Sequence, residues 1–90
     1  MRIEWLPVAV RTLQGQLAYI GERSPVAAID IGDAIEAAVG RLADYPRSGR
    51  PGTRELAVGG TPFVIAYRVE TKAVIILRLL HGAQRWPDQL

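Results

Sequence analysis

The sequence predicts a small α+β domain of two layers, a helical hairpin laid on one face of a mostly antiparallel sheet. Two apolar runs, Phe63 to Val69 and Ala73 to Leu80, are rich in β-branched and aromatic residues and free of Pro and Gly. With only Glu70-Thr71-Lys72 between them, they read as a strand pair. Upstream, two stripes of apolar residues recur at spacings of three and four, the helical period. The resulting order is strand, helix, helix, strand, strand, strand, and a helical hairpin on one sheet face buries the apolar stripes of both layers.

Each element has its own signals. Arg2-Ile3-Glu4-Trp5 alternates polar and apolar, which places Ile3 and Trp5 on one face of a short strand. Pro7 suits the first position of a helix, where its missing N–H costs nothing. The helix then runs on Val10, Leu13, Leu17 and Ile20 to about Arg23. Gly15 and Gly21 each weaken it by about 1 kcal/mol relative to Ala, so packing must hold it, and close approach by a second helix is one reason for glycine there. Ser24 reads as an N-cap and Pro25 as the first residue of that second helix. Its stripe is Ala28, Ile31, Ile35, Ala38, Leu42 and Tyr45, and Pro46 ends it. The very short link makes the pair an antiparallel hairpin, in which Ala27, Ala28, Ala34, Ala37 and Ala38 permit close axes. The segment PRSGRPG, from Pro46 to Gly52, is a loop by composition. Thr53 to Val58 predicts a short strand with Leu56 and Val58 inward, and Gly59-Gly60 a tight turn into the main hairpin. The run Ala73 to Leu80 is apolar on both faces apart from Arg78, which suits a central strand.

The chain has 90 residues, which predicts one domain over 1–90. Cysteine is absent, so neither a disulfide framework nor a thiolate metal site is available, and one histidine leaves little for zinc. No metal and no cofactor is expected. No apolar run is long enough to span a membrane and the first residues lack the apolar core of a signal peptide, so a cytoplasmic protein without membrane partners is expected. Ten of the eleven cations are arginine. Seven of these, Arg41, Arg47, Arg50, Arg54, Arg68, Arg78 and Arg85, follow residue 40, where only Asp44, Glu55, Glu70 and Asp88 oppose them. Arginine grips carboxylate or phosphate in bidentate fashion, which makes an anionic partner plausible; a solvated basic face is the plainer alternative.

The sheet face turned from the helices is where such a partner would bind. Phe63, Ile65, Tyr67 and Val69 form the better core face of their strand, which points Arg68 outward. Arg78 joins Arg68 on the outer face only if the hairpin contains a bulge or a three-residue turn. That arrangement is expected, because an unpaired arginine beneath the helices would be costly. Plainer roles stand beside these: Arg68 can pair with Glu70 or Glu55, His81 can be a structural histidine at a strand end, and Trp86 can seal the sheet edge.

Together these residues resemble the RelE/ParE superfamily of bacterial type II toxin–antitoxin toxins, over nearly the whole chain. The resemblance is carried by Ile3-Glu4-Trp5 with Pro7 and Ala9, by Tyr19-Ile20, and by Ser24-Pro25 with Ala27-Ala28. It continues through Leu42 with Tyr45-Pro46, the stretch from Gly49 to Leu56, Tyr67-Arg68-Val69, and the stretch from Leu77 to Pro87. It implies a poison held in check by a cognate antitoxin that lays apolar side chains in a groove and acids against basic residues.

Two targets are known in this superfamily. ParE-like members inhibit DNA gyrase and RelE-like members cut mRNA on the ribosome. Cleavage through the 2′-hydroxyl needs a proton acceptor, a cation and a proton donor. RelE-like members cluster lysines, arginines and a late tyrosine, or a glutamate and histidine, on the open sheet face. This chain has one lysine, Lys72, and no tyrosine after Tyr67. A nuclease site would have to use Arg68, Arg78 and His81, and arginine is a poor proton shuttle. The favoured expectation is therefore a gyrase-binding poison with no catalytic residue, using Arg47, Arg50, Arg54, Arg68, Arg78, Arg85 and Trp86 to hold target or antitoxin. A ribosome-dependent nuclease and a toxin fold without toxicity are the alternatives.

Overall fold

A computed structural model of the chain describes residues 1–47 and 54–82. The order of elements is β1 (Arg2–Trp5), α1 (Pro7–Arg23), α2 (Pro25–Asp44), β2 (Arg54–Ala57), β3 (Phe63–Val69) and β4 (Ala73–His81). The four strands form one sheet in the order β1-β4-β3-β2, antiparallel except that β1 runs parallel to β4. β4 is thus an interior strand, as its two-sided apolar pattern requires, with Val74, Ile75 and Ile76 all buried. Among the described residues no helix is long and apolar enough to cross a membrane.

Both helices start and stop where the side chains dictate. Pro7 and Pro25 open them, and Ser24 joins them without a loop. The Ser24 N–H donates to the Ile20 carbonyl (2.9 Å) and its Oγ accepts from the Ala27 N–H (3.1 Å), so one residue closes α1 and caps α2. Ile35, Ala38, Val39 and Leu42 of α2 and Ala9 of α1 form the core with Phe63, Ile65, Tyr67, Val74, Ile76 and Leu79 of the sheet. α2 follows its expected stripe except at its end. Tyr45 lies beyond the last helical turn with its side chain 68% exposed, because the chain has already left the helical conformation (φ −131°). The α1 stripe is only half-buried at Val10, Leu13, Leu17 and Ile20, while the small Ala9 is fully buried. A Cβ on Gly21 would lie 3.6 Å from the Ala28 Cβ, in keeping with close helices, but one on Gly15 would meet nothing within 4 Å.

The connections differ in detail from the expected ones. β2 covers Arg54–Ala57; Thr53 lies outside the described residues. The link from β2 to β3 is wider than a Gly-Gly turn. The Val58 N–H donates to the Phe63 carbonyl, the Thr61 N–H and hydroxyl both donate to the Val58 carbonyl, and the Thr61 Oγ1 accepts from the Phe63 N–H. Gly60 takes φ +76° there, where a side chain would be strained.

Between β3 and β4 the turn is the two-residue Thr71-Lys72, closed by the Glu70 N–H on the Ala73 carbonyl (2.8 Å). Val69, Arg68 and Tyr67 then pair with Val74, Ile75 and Ile76, but Ala66 pairs with Arg78. Leu77 is the extra residue, a β-bulge that shifts the register by one.

Candidate functional site

The bulge decides which side chains share a face. Tyr67 and Ile76 are paired and belong to the core, as are Ile65 and Leu79, so the helix side of the hairpin is fixed on both sides of the bulge. The pairs Arg68 with Ile75, Ala66 with Arg78 and Val64 with Leu80 therefore lie on the opposite face. Arg68 and Arg78 do come together there as expected. One strand spacing and two residue steps put their Cα atoms roughly 8 Å apart.

This face is not uniformly basic, nor is it bare. Arg2 and Glu4 on β1 form an ion pair at 2.9 Å, and Arg68 Nε donates to Glu70 Oε2 at 3.0 Å. By register, Glu55 of β2 stands beside Ala66 on the same face. Ala66, Ile75 and Leu80 are buried although none packs in the helix-side core. In the ladder Ala66 and Ile75 stand directly beside Arg78 and Arg68, whose long stems can cover apolar surface while their charged heads stay wet. The result is a row of guanidinium groups and acids lying over buried apolar side chains. A guanidinium stays charged at any physiological pH and does not relay protons.

His81 belongs to the other side. It pairs with Phe63, which is buried in the helix-side core, and the two rings meet edge to face with centroids 5.9 Å apart and planes at 79°. Tyr67 also points under the helices and is fully buried. Arg68, Arg78 and His81 thus do not converge on one face.

The remaining arginines divide as well. Arg54 pairs with Tyr67 at the helix-side face of the edge strand, and its Nη1 donates to the Arg47 carbonyl at 3.2 Å. Arg47 in turn borders a polar cleft of about 750 Å³ with Arg2, Glu4, Glu70 and Lys72, at the turn end of the sheet. Arg54 therefore stands on the face opposite Arg68 and Arg78, whereas Arg47 reaches the cleft that Glu70, the partner of Arg68, also lines. Arg50, Arg85 and Trp86 lie outside the described residues.

A second concave surface lies between the helices. The half-buried α1 stripe, Val10, Leu13 and Leu17, meets Trp5 and the Ile29, Ile35 and Val39 side of α2 around a groove of about 730 Å³ with Asp33 and Glu36 among its lining residues. Ile29 is 62% exposed and Val26, three residues before it, 68%. A stripe search aimed at the core passes over these residues. Val26 and Ile29, on an angle of α2 that the core stripe leaves out, are the signal for this groove.

Comparison with known proteins agrees with this architecture. The family model described as ParE toxin of type II toxin-antitoxin system, parDE, matches residues 3–86. Y4kP of Sinorhizobium fredii is 43% identical over 93 residues, covering 99% of this chain and 96% of its own length. Toxin RelE2 of Caulobacter vibrioides is 37% identical, with 92% of this chain and 97% of that protein covered; Toxin RelE1 of the same organism is 34% identical, with 86% and 88% covered. A solved structure described as the chromosomal ParDE TA system from P. aeruginosa superposes with a TM-score of 0.77 at 26% identity, over 90% of this chain and 95% of the other. By the match of sequence along nearly its whole length and of fold, the chain belongs to the ParE toxin family of type II toxin–antitoxin systems.

Proposed function

We propose that this toxin acts by binding, with DNA gyrase as its target, and that a cognate antitoxin holds it inactive by covering the same protein. The observation that carries the reading is the division of side chains by the β-sheet. Arg68 and Arg78 share the face away from the helices, whereas His81 stacks on Phe63 at the helix side. Among the described strand residues of the arginine face there is no histidine, lysine or tyrosine to exchange a proton with a reacting 2′-hydroxyl or its leaving oxygen; Lys72 stands at its margin, in the hairpin turn. It has instead arginines and acids, groups that suit contact with a charged partner. The similarity of residues 3–86 to the ParE family model supports the same branch.

One observation favours the ribosome-dependent nuclease as a second reading. Glu55 stands in the row of Ala66 and Arg78, and a carboxylate near a guanidinium is a possible base beside a phosphate clamp. The curated relatives from Caulobacter carry RelE names.

Purified, antitoxin-free protein in a gyrase supercoiling assay separates the readings. Inhibition with accumulation of cleaved DNA, reversed by the cognate antitoxin and preserved in Glu55→Gln and His81→Ala, is the expected result. No effect on gyrase at large excess, together with mRNA cleavage on ribosomes that Glu55→Gln abolishes, would overturn it.

A further inference from the structure

We infer that the polar cleft at the turn end of the sheet holds the phosphodiester backbone of an unpaired DNA strand, gripped by Arg47 and Lys72 with a base against Tyr45. The cleft adjoins the face of Arg68 and Arg78 but is lined by neither. The choice of DNA over RNA rests on the gyrase reading, since gyrase works on DNA.

Three separate parts of the chain build this cleft of about 750 Å³: the start of β1, the residues just after α2, and the turn between β3 and β4. Its two acids are already engaged. Glu4 pairs with Arg2 at 2.9 Å, and Glu70 Oε2 accepts from Arg68 Nε at 3.0 Å. Arg47 and Lys72 are exposed, and neither forms an ion pair with a described residue. These two cations, with Arg2 and Arg68, thus face only Glu4 and Glu70, and a surplus of positive charge remains for a ligand. A concave wall focuses that field. Arg47 can offer two N–H groups to the oxygens of one phosphate, Lys72 a point charge, and Thr71 a hydroxyl donor at the rim.

What lies beside Arg47 chooses the occupant. Tyr45, just past the end of α2, is 68% exposed and shares a hollow of about 530 Å³ with Asp44, Pro46 and Arg47. Proteins hold single strands with cations that track the backbone and aromatic rings on which bases stack. A duplex keeps its bases stacked within and offers such a ring nothing. An acidic peptide would meet the cations but has no use for the ring, so it is the competing occupant. Asp44 repels a phosphate on the Tyr45 side, which sets the direction of the strand: backbone toward Lys72, base toward Tyr45. Gyrase opens the DNA that it holds, and a toxin gripping both enzyme and strand delays its closing.

The test measures fluorescence anisotropy of a short labelled oligodeoxythymidine with purified, antitoxin-free toxin and no gyrase. Two phosphate contacts predict an affinity that falls about 25-fold between about 0.05 M and about 0.5 M salt. Arg47→Glu with Lys72→Glu should weaken binding about tenfold or more at the lower salt. Arg11→Glu with Arg23→Glu, the same change of net charge on α1 outside the cleft, should weaken it by less than about threefold. Tyr45→Ala should weaken it about fivefold or more and Tyr45→Phe should keep it, because stacking asks only for a ring. Thermal unfolding checks that each variant is folded. A parent chain that does not bind the strand, or a folded Arg47 and Lys72 reversal that binds as the parent does, overturns the inference. Equal losses in the two charge pairs overturn it too, since net charge and not the cleft would then be at work. Unaltered binding in Tyr45→Ala overturns the base contact and leaves an acidic peptide as the better occupant, and an oligouridine bound about tenfold more tightly overturns the choice of DNA. A parent that binds the strand but leaves gyrase supercoiling intact overturns the gyrase reading and not the cleft.

Discussion

Two isoleucines on the same helix give the sharpest test of how α2 is oriented. Ile35 is 2% exposed and packs in the core, whereas Ile29 is 62% exposed at the groove. Truncating either to alanine gains about 0.4 kcal/mol of helix propensity, so that term cancels between them. At Ile35 the lost transfer energy plus the cavity costs about 3 kcal/mol, within the range of 2–5 for buried Ile→Ala. At Ile29 little over a third of the side chain is withdrawn from water, so roughly 0.8 kcal/mol of burial is lost and the net cost is about 0.4 kcal/mol. For 90 residues the entropy of unfolding is about 0.19 kcal/mol/K, and the two changes translate to Tm shifts of about 15 °C and about 2 °C. Urea denaturation at constant slope and a thermal scan measure both quantities. Equal losses at the two positions would refute the argument, since Ile29 would then be as buried in the free toxin as Ile35, and no open groove would exist.

The other predictions concern a cap, a turn and a surface pair. Ser24→Ala should cost about 1 kcal/mol by removing the acceptor of the Ala27 N–H, and Ser24→Asn should recover most of it in the same denaturation assay. Gly82→Ala should cost about 1–3 kcal/mol, because its Cβ would sit 2.9 Å from the Pro62 carbonyl oxygen that the Gly82 N–H already contacts; Gly59→Ala, where a Cβ meets nothing within 4 Å, is the control. Arg68→Ala should change stability by well under 1 kcal/mol, since its pair with Glu70 is more than half exposed on the arginine side, yet it should raise the toxin concentration that halves gyrase supercoiling. An unchanged inhibitory concentration would remove Arg68 from the contact surface.

Much of the fold is legible in the sequence because its signals are local. Proline at the first position of each helix and Ser24 between them fix the helical hairpin, and the two apolar runs fix the strand pair. The two-sided apolar pattern of Ala73 to Leu80 marks the interior strand, and its partner β1 pairs with it in parallel without any local sign of that direction. The register of β3 on β4 is harder. A two-residue turn fits the sequence, but only a bulge reconciles that turn with keeping Arg78 out of the core, and nothing in the residue types says that Leu77 is the extra one. The separation of Arg78 from His81 is legible after all. A spacing of three within one strand puts two side chains on opposite faces, which bars them from a common site unless a second bulge intervenes. Composition gathers the arginines of the second half into one basic group, whereas tertiary structure turns Arg54 to the face opposite Arg68 and Arg78.

The bulge at Leu77 is where stability and function make the same demand. With an unbroken ladder from the two-residue turn, Arg78 would pair beneath the helices among Ile65, Tyr67 and Ile76, and Leu79 would point away from them. An unpaired guanidinium there would cost several kcal/mol, a large share of the roughly 5–13 expected for a domain of this size. One extra residue removes that conflict and at the same time places Arg78 diagonally across from Arg68. The shared placement of Arg68 and Arg78 is thus a consequence of core packing, which holds both arginines on strands instead of on a loop. Of the Ile→Arg or Leu→Arg changes on β4, Leu80→Arg, beside Val64 on the outer face, should cost less than Ile76→Arg or Leu79→Arg in the helix-side core. If Ile76→Arg proves as soluble and as stable as Leu80→Arg, the division of the sheet into a core face and a contact face is wrong.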